Sequence, residues 1–332
     1  MAFRLQLGKQ RAINLIIKDH VIRFTEFKNS DGIQIHRCEE RFLPSGIIKE
    51  GKIVDHETLI MILEECVSDW KLKNRMVSFL VPDPYIVLRR IKVPAELEED
   101  EIKGYLFMEL GSSIHLPFED PVFDFHLLEQ NNSNEMEIIL FAAPEDIVTD
   151  YTSVLEEVKL RPVAADVSSL ALYRLFHKLN SSHITDSLMM IQFDLTTVNV
   201  SIFENHQPVF MRHLVMDIDP TDWIITKNER NSGQLLAYSG ERIEVLNSLK
   251  DIYSEIDKVM NFYRYSIKQG KQQITKVFLD GDHPWLTDIY TEMKESMEVP
   301  VTQLDNRTLQ MNGEIHNLSS FHLNFGLGLK EV

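Results

Sequence analysis

The chain is predicted to be an α/β protein of two lobes, each built on a βββαβα unit, with a small α+β domain inserted in the first lobe. Three observations predict this. A strand–break–strand pattern occurs twice, at 11–27 (RAINLIIKDHVIRFTEF) and 188–203 (LMMIQFDLTTVNVSIF). Each copy is followed by a third strand, an amphipathic helix and a buried strand, in the same order. Between the copies lies a βαββα stretch that the repeat does not account for.

The first copy opens with strands at 11–17, 20–28 and 33–42, and Asn29-Ser30-Asp31-Gly32 supplies the turn between the last two. A helix over 56–70 follows from Leu59, Ile62, Leu63, Cys66, Val67 and Trp70, which recur at helical spacing. The apolar run 76–81 reads as a buried strand stopped by Pro82 and Pro84. The second copy places strands at 188–194, 197–204 and 207–215, with Asn205-His206 as a tight turn. Its helix, over 243–268, carries Leu249, Ile252, Ile256, Val259, Met260, Tyr263 and Ile267 on one face. A strand at 274–279 and a helix at 284–298 complete it. In the intervening stretch, strands are expected at 85–93, 122–128 and 136–143, helices at 96–110 and 145–159, and a polar loop at 130–134. A helix over 168–179 returns to the first lobe. The expected boundaries are 1–83 plus 161–185 for the first lobe, 84–160 for the insertion and 186–332 for the second lobe, with a reduced upper subdomain at about 218–270. The polar stretches 227–233 and 305–317 are read as surface loops. A duplicated βββαβα unit is the signature of the actin-like, ribonuclease-H-like architecture.

Composition narrows the function. The net charge is −17, from 34 Lys+Arg against 51 Asp+Glu. That speaks against nucleic-acid binding, which needs a basic footprint. The basic start (Arg4, Lys9, Arg11, Lys18, Arg23, Lys28) is read as a solvated face rather than a membrane contact. Cys38 and Cys66 form neither a disulfide framework nor a metal-ligand spacing. No apolar run of roughly 18 residues and no signal-peptide core are present. The chain is therefore expected in the cytoplasm, at the inner face of the cell membrane only through partners. There is no Walker loop, G-x-S-x-G elbow or H-E-x-x-H helix, His115 and His126 are read as structural or solvated, and no catalytic residue is assigned.

An ordered series of short stretches carries a family resemblance. Val93-Pro94 precedes an acidic helix and then Ile114-His-Leu-Pro-Phe118. Phe141-Ala-Ala-Pro144 precedes Glu157, Leu160-Arg-Pro-Val163 and Asp166. Phe262-Tyr-Arg264 and Gly326-Leu-Gly-Leu-Lys330 follow. Together they resemble the FtsA/PilM branch of the actin superfamily, and within it the PilM family of type IV pilus assembly proteins more closely. The resemblance implies an adaptor of a type IV or competence pilus machine. It would dock the cytoplasmic N-terminal peptide of a PilN-like bitopic membrane protein, in a groove between the first lobe and the insertion, and link it to the pilus motor ATPase. Strands 85–93 and 122–128 and the apolar helix 102–110 are the surfaces expected to serve. A division protein of the FtsA kind is the weaker reading, because no amphipathic helix precedes Val332.

The resemblance also implies a nucleotide cleft, and here the residues depart from the family. Ile16 stands at the first loop's aspartate and Lys18 at its glycine; Thr196 replaces the second loop's glycine. Asp282 replaces a glycine of the adenosine segment, 279–282. Without these glycines the backbone loses its close approach to phosphates, and Asp280 and Asp282 would repel them. No cofactor and no productive ATP hydrolysis are expected. In the alternative, an actin-like ATPase that still binds ATP and Mg, the residues left to do so are Asp194, Thr196, Thr197 and Gly281. Asp166 and Asp194 would then hold the metal. On the plainer reading Asp166 caps a helix and Asp194 sits in a turn. The segment Glu109–Ile114 imitates a phosphate loop but follows a helix, so Gly111 is read as its left-handed C-terminal cap.

Overall fold

The computed structural model of the protein describes residues 12–28, 34–128, 135–180, 186–227, 234–305, 310–311 and 318–330. The expected turn at 29–32, the loop at 130–134 and most of the polar stretches 227–233 and 305–317 lie outside the described residues. The first lobe begins with an antiparallel meander, β1 (Ile13–Lys18), β2 (Val21–Phe27) and β3 (Gln34–Phe42). A small hairpin, β4 (Ile48–Lys49) and β5 (Lys52–Ile53), leads to helix α1 (His56–Asp69) and strand β6 (Met76–Leu80), which runs parallel to β1. Asp55 starts α1 by accepting the backbone N–H of Thr58, as an N-cap does.

The inserted segment follows as β7 (Val87–Pro94), α2 (Glu99–Glu109), β8 (Pro121–Leu127) and β9 (Glu135–Pro144), an antiparallel sheet of order β7-β9-β8 whose outer strands pair with no further strand among the described residues. Ile102 and Leu106 of α2 pack with Val93, Ile138 and Leu140 in a core of their own. Gly111 follows α2 at φ +81, the left-handed conformation expected of it.

Helix α3 (Glu145–Glu157) falls inside the stretch 84–160 assigned to the insertion, yet its apolar face packs elsewhere. Tyr151, Val154 and Leu155 join Leu59, Leu63 and Phe24 in the first lobe's core. Strand β10 (Arg161–Asp166), not foreseen from sequence, then extends the first sheet parallel to β6, with a register irregularity at Pro162–Ala164. Helix α4 (Ser168–Asn180) follows.

The second lobe repeats the plan with β11 (Ser187–Phe193), β12 (Thr197–Glu204) and β13 (Gln207–Val215). Asn205 and His206 between β12 and β13 have φ of 48 and 65, as a two-residue hairpin turn requires. A hairpin, β14 (Trp223–Lys227) and β15 (Gln234–Tyr238), precedes α5 (Arg242–Asn261). The helix expected through 268 widens at Phe262 into a π-turn ending at Ile267. Strand β16 (Lys276–Gly281), α6 (Leu286–Ser296) and β17 (Val301–Thr302) complete the second sheet, of order β13-β12-β11-β16-β17. The stretch 305–317, read as a surface loop, contributes β18 (Gln310–Met311) to the edge of the first sheet beside β3. Helix α7 (His322–Leu327) comes last.

Three cores stack these layers. One joins α1 and α3 to the outer face of the first sheet; another joins α5 and α6 to the outer face of the second. The third lies between the sheets, where α4 and α7 meet Ile16 and Leu80 on one side and Met190 and Phe278 on the other. Strands buried on both faces are accordingly mostly apolar: all seven residues of β11 are buried, and only Ser187 and Gln192 among them are polar.

Candidate functional site

The turns after β1, β6, β11 and β16 face each other across the gap between the lobes. Lys18, at the end of β1, reaches over with its ammonium: Nζ lies 2.6 Å from Asp194 Oδ1 and 3.4 Å from Asp282 Oδ2. Arg23 from β2 donates to the same Asp282 oxygen and, through Nε, to Glu40 on β3 at 3.1 Å. His20 Nε2 lies 3.3 Å from that oxygen as well. Asp282 thus meets three cationic or protonatable side chains with its carboxylate 3% exposed. Burial alone would raise its pKa, but Lys18, His20 and Arg23 hold it well below the usual carboxylate range. Burial also works against the charge on Lys18, and Asp194 and Asp282 outweigh it, so Lys18 keeps its proton. Asp194 goes the other way: burial pushes it well up, Lys18 pulls against this, and the charge on Asp282 adds to it. Two carboxylates share one ammonium, and Asp282 takes the larger part of the charge.

A second set of bonds ties the lobes further along. Asp83, after β6, receives Ser168 Oγ–H from the start of α4 and, at 2.8 Å, the Asn199 amide from β12. Because Asn199 turns its Nδ2 to a carboxylate, its Oδ1 faces His213 at 2.7 Å. His213 Nδ1 must therefore be the donor, and burial keeps this imidazole neutral. Between the two sets is a cavity of about 70 Å³ bordered by Lys18, Asp83, Asp194, Thr196, Thr197 and Ser168. That is room for a few waters.

Of the residues singled out in the sequence, Asp194, Thr196 and Thr197 line this cavity. Gly281 does not border it. With φ +134 at the end of β16, it lies so close to β11 that a Cβ would fall on the carbonyl oxygen of Phe193. The N–H groups of Asp282 and His283 both bond that same oxygen at 3.0 Å. Asp166 is not among the cavity's lining residues either. It accepts from Arg174 and, at 3.2 Å, from Lys330. No group of three metal-ligating side chains occurs among the described residues. Asp280, expected to repel phosphates, instead accepts from His322 Nδ1 at 2.6 Å on the side of α7. Sequence reasoning missed Arg23, His20, Asp83, Asn199 and His213. Arg23 carried a signal, since a charge between Val21 and Thr25 on the inward side of an apolar strand must find a partner.

Next to this network, His283 sits against Trp223 and Trp285, and its Nδ1 accepts the Trp285 backbone N–H at 3.1 Å. Burial lowers its pKa from 6.5 to about 4. The unfolded chain takes up this proton below pH 6.5 and the folded one only near 4, so stability is lost as pH falls across that window. The loss should approach roughly 3 kcal/mol at 1.4 kcal/mol per unit. Denaturant melts of wild type and His283→Phe between pH 7 and 4 check this: the variant should lose less stability than the wild type. Parallel curves would refute it.

A larger cavity, about 410 Å³, opens between the first lobe and the inserted sheet. Lys52, Pro84, Tyr85, Pro117, Phe118, Pro144 and Ile147 are among the residues that line it. The expected helix 102–110 does not line it; Ile102 and Leu106 are buried, and Phe107 and Met108 are left exposed. No helix among the described residues is long and apolar enough to cross a membrane.

The family model described as type IV pilus assembly protein PilM matches residues 16–217. Among solved structures, one described as the PilM-PilN type IV pilus biogenesis complex is similar with TM-score 0.76 and 18% identity, covering 96% of this chain and 97% of that one. The ethanolamine utilization protein EutJ from Carboxydothermus hydrogenoformans gives TM-score 0.49 at 10% identity, with coverage of 96% and 89%. MreB5 of Spiroplasma citri bound to ADP gives 0.46 at 10% identity, with coverage of 96% and 95%. The match at 0.76 shows a shared fold, and the two sheets of this chain have the duplicated strand order expected of an actin-like protein.

Proposed function

This chain belongs to the type IV pilus assembly protein PilM family, and from that premise we propose that it works as a cytoplasmic adaptor of a pilus machine rather than as an ATPase. Its partner is the cytoplasmic N-terminal peptide of a PilN-like membrane protein, and that partner tethers it to the membrane. The observation that carries this reading is the Lys18 ammonium, 2.6 Å from Asp194 and held at Asp282 as well. ATP·Mg²⁺ would have to bring a cation to Asp194, which Lys18 already supplies. Its phosphates would need backbone N–H groups that Lys18 and Thr196 crowd. Breaking these buried pairs costs several kcal/mol before any nucleotide contact is made. The residues present therefore do not suit ATP·Mg²⁺.

The groove supports the other half of the proposal. Tyr85, Val87, Phe118 and Ile147 supply apolar lining, and Lys52 and Asp146 add one charge of each sign. An extended peptide needs such pockets for alternate side chains. Calorimetry on the whole chain tests both halves. A peptide from the PilN N-terminus should bind without nucleotide, and Phe118→Ser should weaken it at least tenfold with the melting temperature unchanged. ATP·Mg²⁺ bound more tightly than about 10 μM, or about −7 kcal/mol, would sink the first claim, and full peptide affinity in Phe118→Ser the second.

A further inference from the structure

The stretch 258–279 contains Lys258, Arg264, Lys268, Lys271 and Lys276 and no acidic residue, in a chain of net charge −17. Its centre is the π-turn Phe262–Ile267, where one ring faces inward and two face out. Tyr263 is fully buried and bonds Ser187 and Glu204. Phe262 and Tyr265 are 46% and 58% exposed, and Ile267 is exposed beside them. Phe262 is propped against Phe210 at 5.6 Å between ring centres, and the Arg264 guanidinium lies 5.2 Å from the Tyr265 ring. Lys268 is engaged by Glu204 and Lys258 by Glu255. Arg264 and Lys271 have no acidic partner among the described residues. None of the cavities described above takes in a residue of 258–272.

We propose that this face is a contact for an anionic lipid surface. Exposed rings and an aliphatic chain flank Arg264 on one turn, and Lys271 follows it. That arrangement suits an interface where apolar groups enter the headgroup layer and the cations meet phosphates. An acidic protein partner would use the cations but leave Phe262, Tyr265 and Ile267 without a pocket to fill. Tyr263, anchored from below, fixes the turn so that little is left to order on contact. The contact is separate from the groove and does not depend on what binds there.

Flotation of the full chain with vesicles tests it, using phosphatidylglycerol–phosphatidylethanolamine mixtures against pure phosphatidylcholine. Binding to the anionic vesicles alone is expected, and it should weaken as salt rises. Arg264→Gln with Lys271→Gln should weaken it about 30-fold, which is about 2 kcal/mol at 1.4 kcal/mol per decade. Phe262→Ser with Tyr265→Ser should weaken it about tenfold, with melting temperatures checked for both. The proposal is overturned if the wild type does not float with anionic vesicles. It is equally overturned if both double variants bind like wild type, which would assign the binding to another basic segment. Binding of polyglutamate by a chain that binds no vesicles would assign the face to an acidic protein instead.

Discussion

Asp282→Asn is expected to destabilise the protein by about 3–5 kcal/mol, the cost of removing one partner from a buried ionic cluster. The amide keeps the shape of the side chain but removes the one carboxylate that Lys18, Arg23 and His20 share, leaving Lys18 with Asp194 and Arg23 with Glu40. Asp194→Asn should cost less, because burial works against the charge of that carboxylate and Asp282 remains to pair with Lys18. The pH dependence follows from the same shifts. Asp282 has its folded pKa well below 3.8, so its contribution is complete above the unfolded value. It is lost as pH falls below about 4 toward the folded value. Urea melts of the two variants at pH 7 and pH 3 provide the check: the gap between wild type and Asp282→Asn should shrink in acid. Equal melting midpoints for wild type and Asp282→Asn at pH 7 would mean that the cluster contributes nothing.

Gly281→Ala should be at least as damaging, by about 4 kcal/mol or more, in the range reserved for named backbone mechanisms. Two faults coincide there. The residue sits at φ +134, which an L-residue rarely adopts, and the new methyl would meet the Phe193 backbone. Relief requires β16 to withdraw from β11, with loss of the paired bonds from Asp282 and His283 to Phe193. The loss would carry Asp282 away from Lys18 as well, so this variant and Asp282→Asn should be less than additive. A thermal melt of Gly281→Ala within a degree or two of wild type would show that the glycine serves a ligand and not the fold.

Much of the architecture was legible because it rests on local pattern. The doubled hairpin, the helical stripe of α1 and the turn at Asn205-His206 all follow from spacing within a few residues of one another. Strand β10 was hidden by Pro162, which reads as a terminator, although a proline near the first residue of a parallel strand costs little. The membership of α3 was hidden for another reason: its sequence shows an apolar face but not which core receives it. The cleft was half legible. Lys18 in place of a glycine was visible, but its partners lie 176 and 264 residues away. The acidic residues of 279–282, read as a repulsive pair, turn out to face opposite ways, Asp280 to α7 and Asp282 to the first lobe. No periodicity encodes that choice, because the partners, Arg23 in β2 and His322 at the start of α7, are far away in sequence and are brought in by tertiary packing.

Helix α7 has a consequence for how the chain is made. Asn324 donates to the backbone carbonyls of Asn14 and Arg23, 310 and 301 residues earlier, and Gly326 lets α7 press against Ala171. Strand β18 likewise reaches the first sheet only after the whole second lobe has been synthesised. At about 10 residues per second, the β1–β2 hairpin leaves the ribosome roughly half a minute before the residues that cover it. During that interval Ile16 and the carbonyls of Asn14 and Arg23 face solvent, and the first lobe is a sheet with one side unfinished. The first lobe is therefore expected to reach its native state only once the second lobe and α7 have been made, and until then it is a natural client for a chaperone.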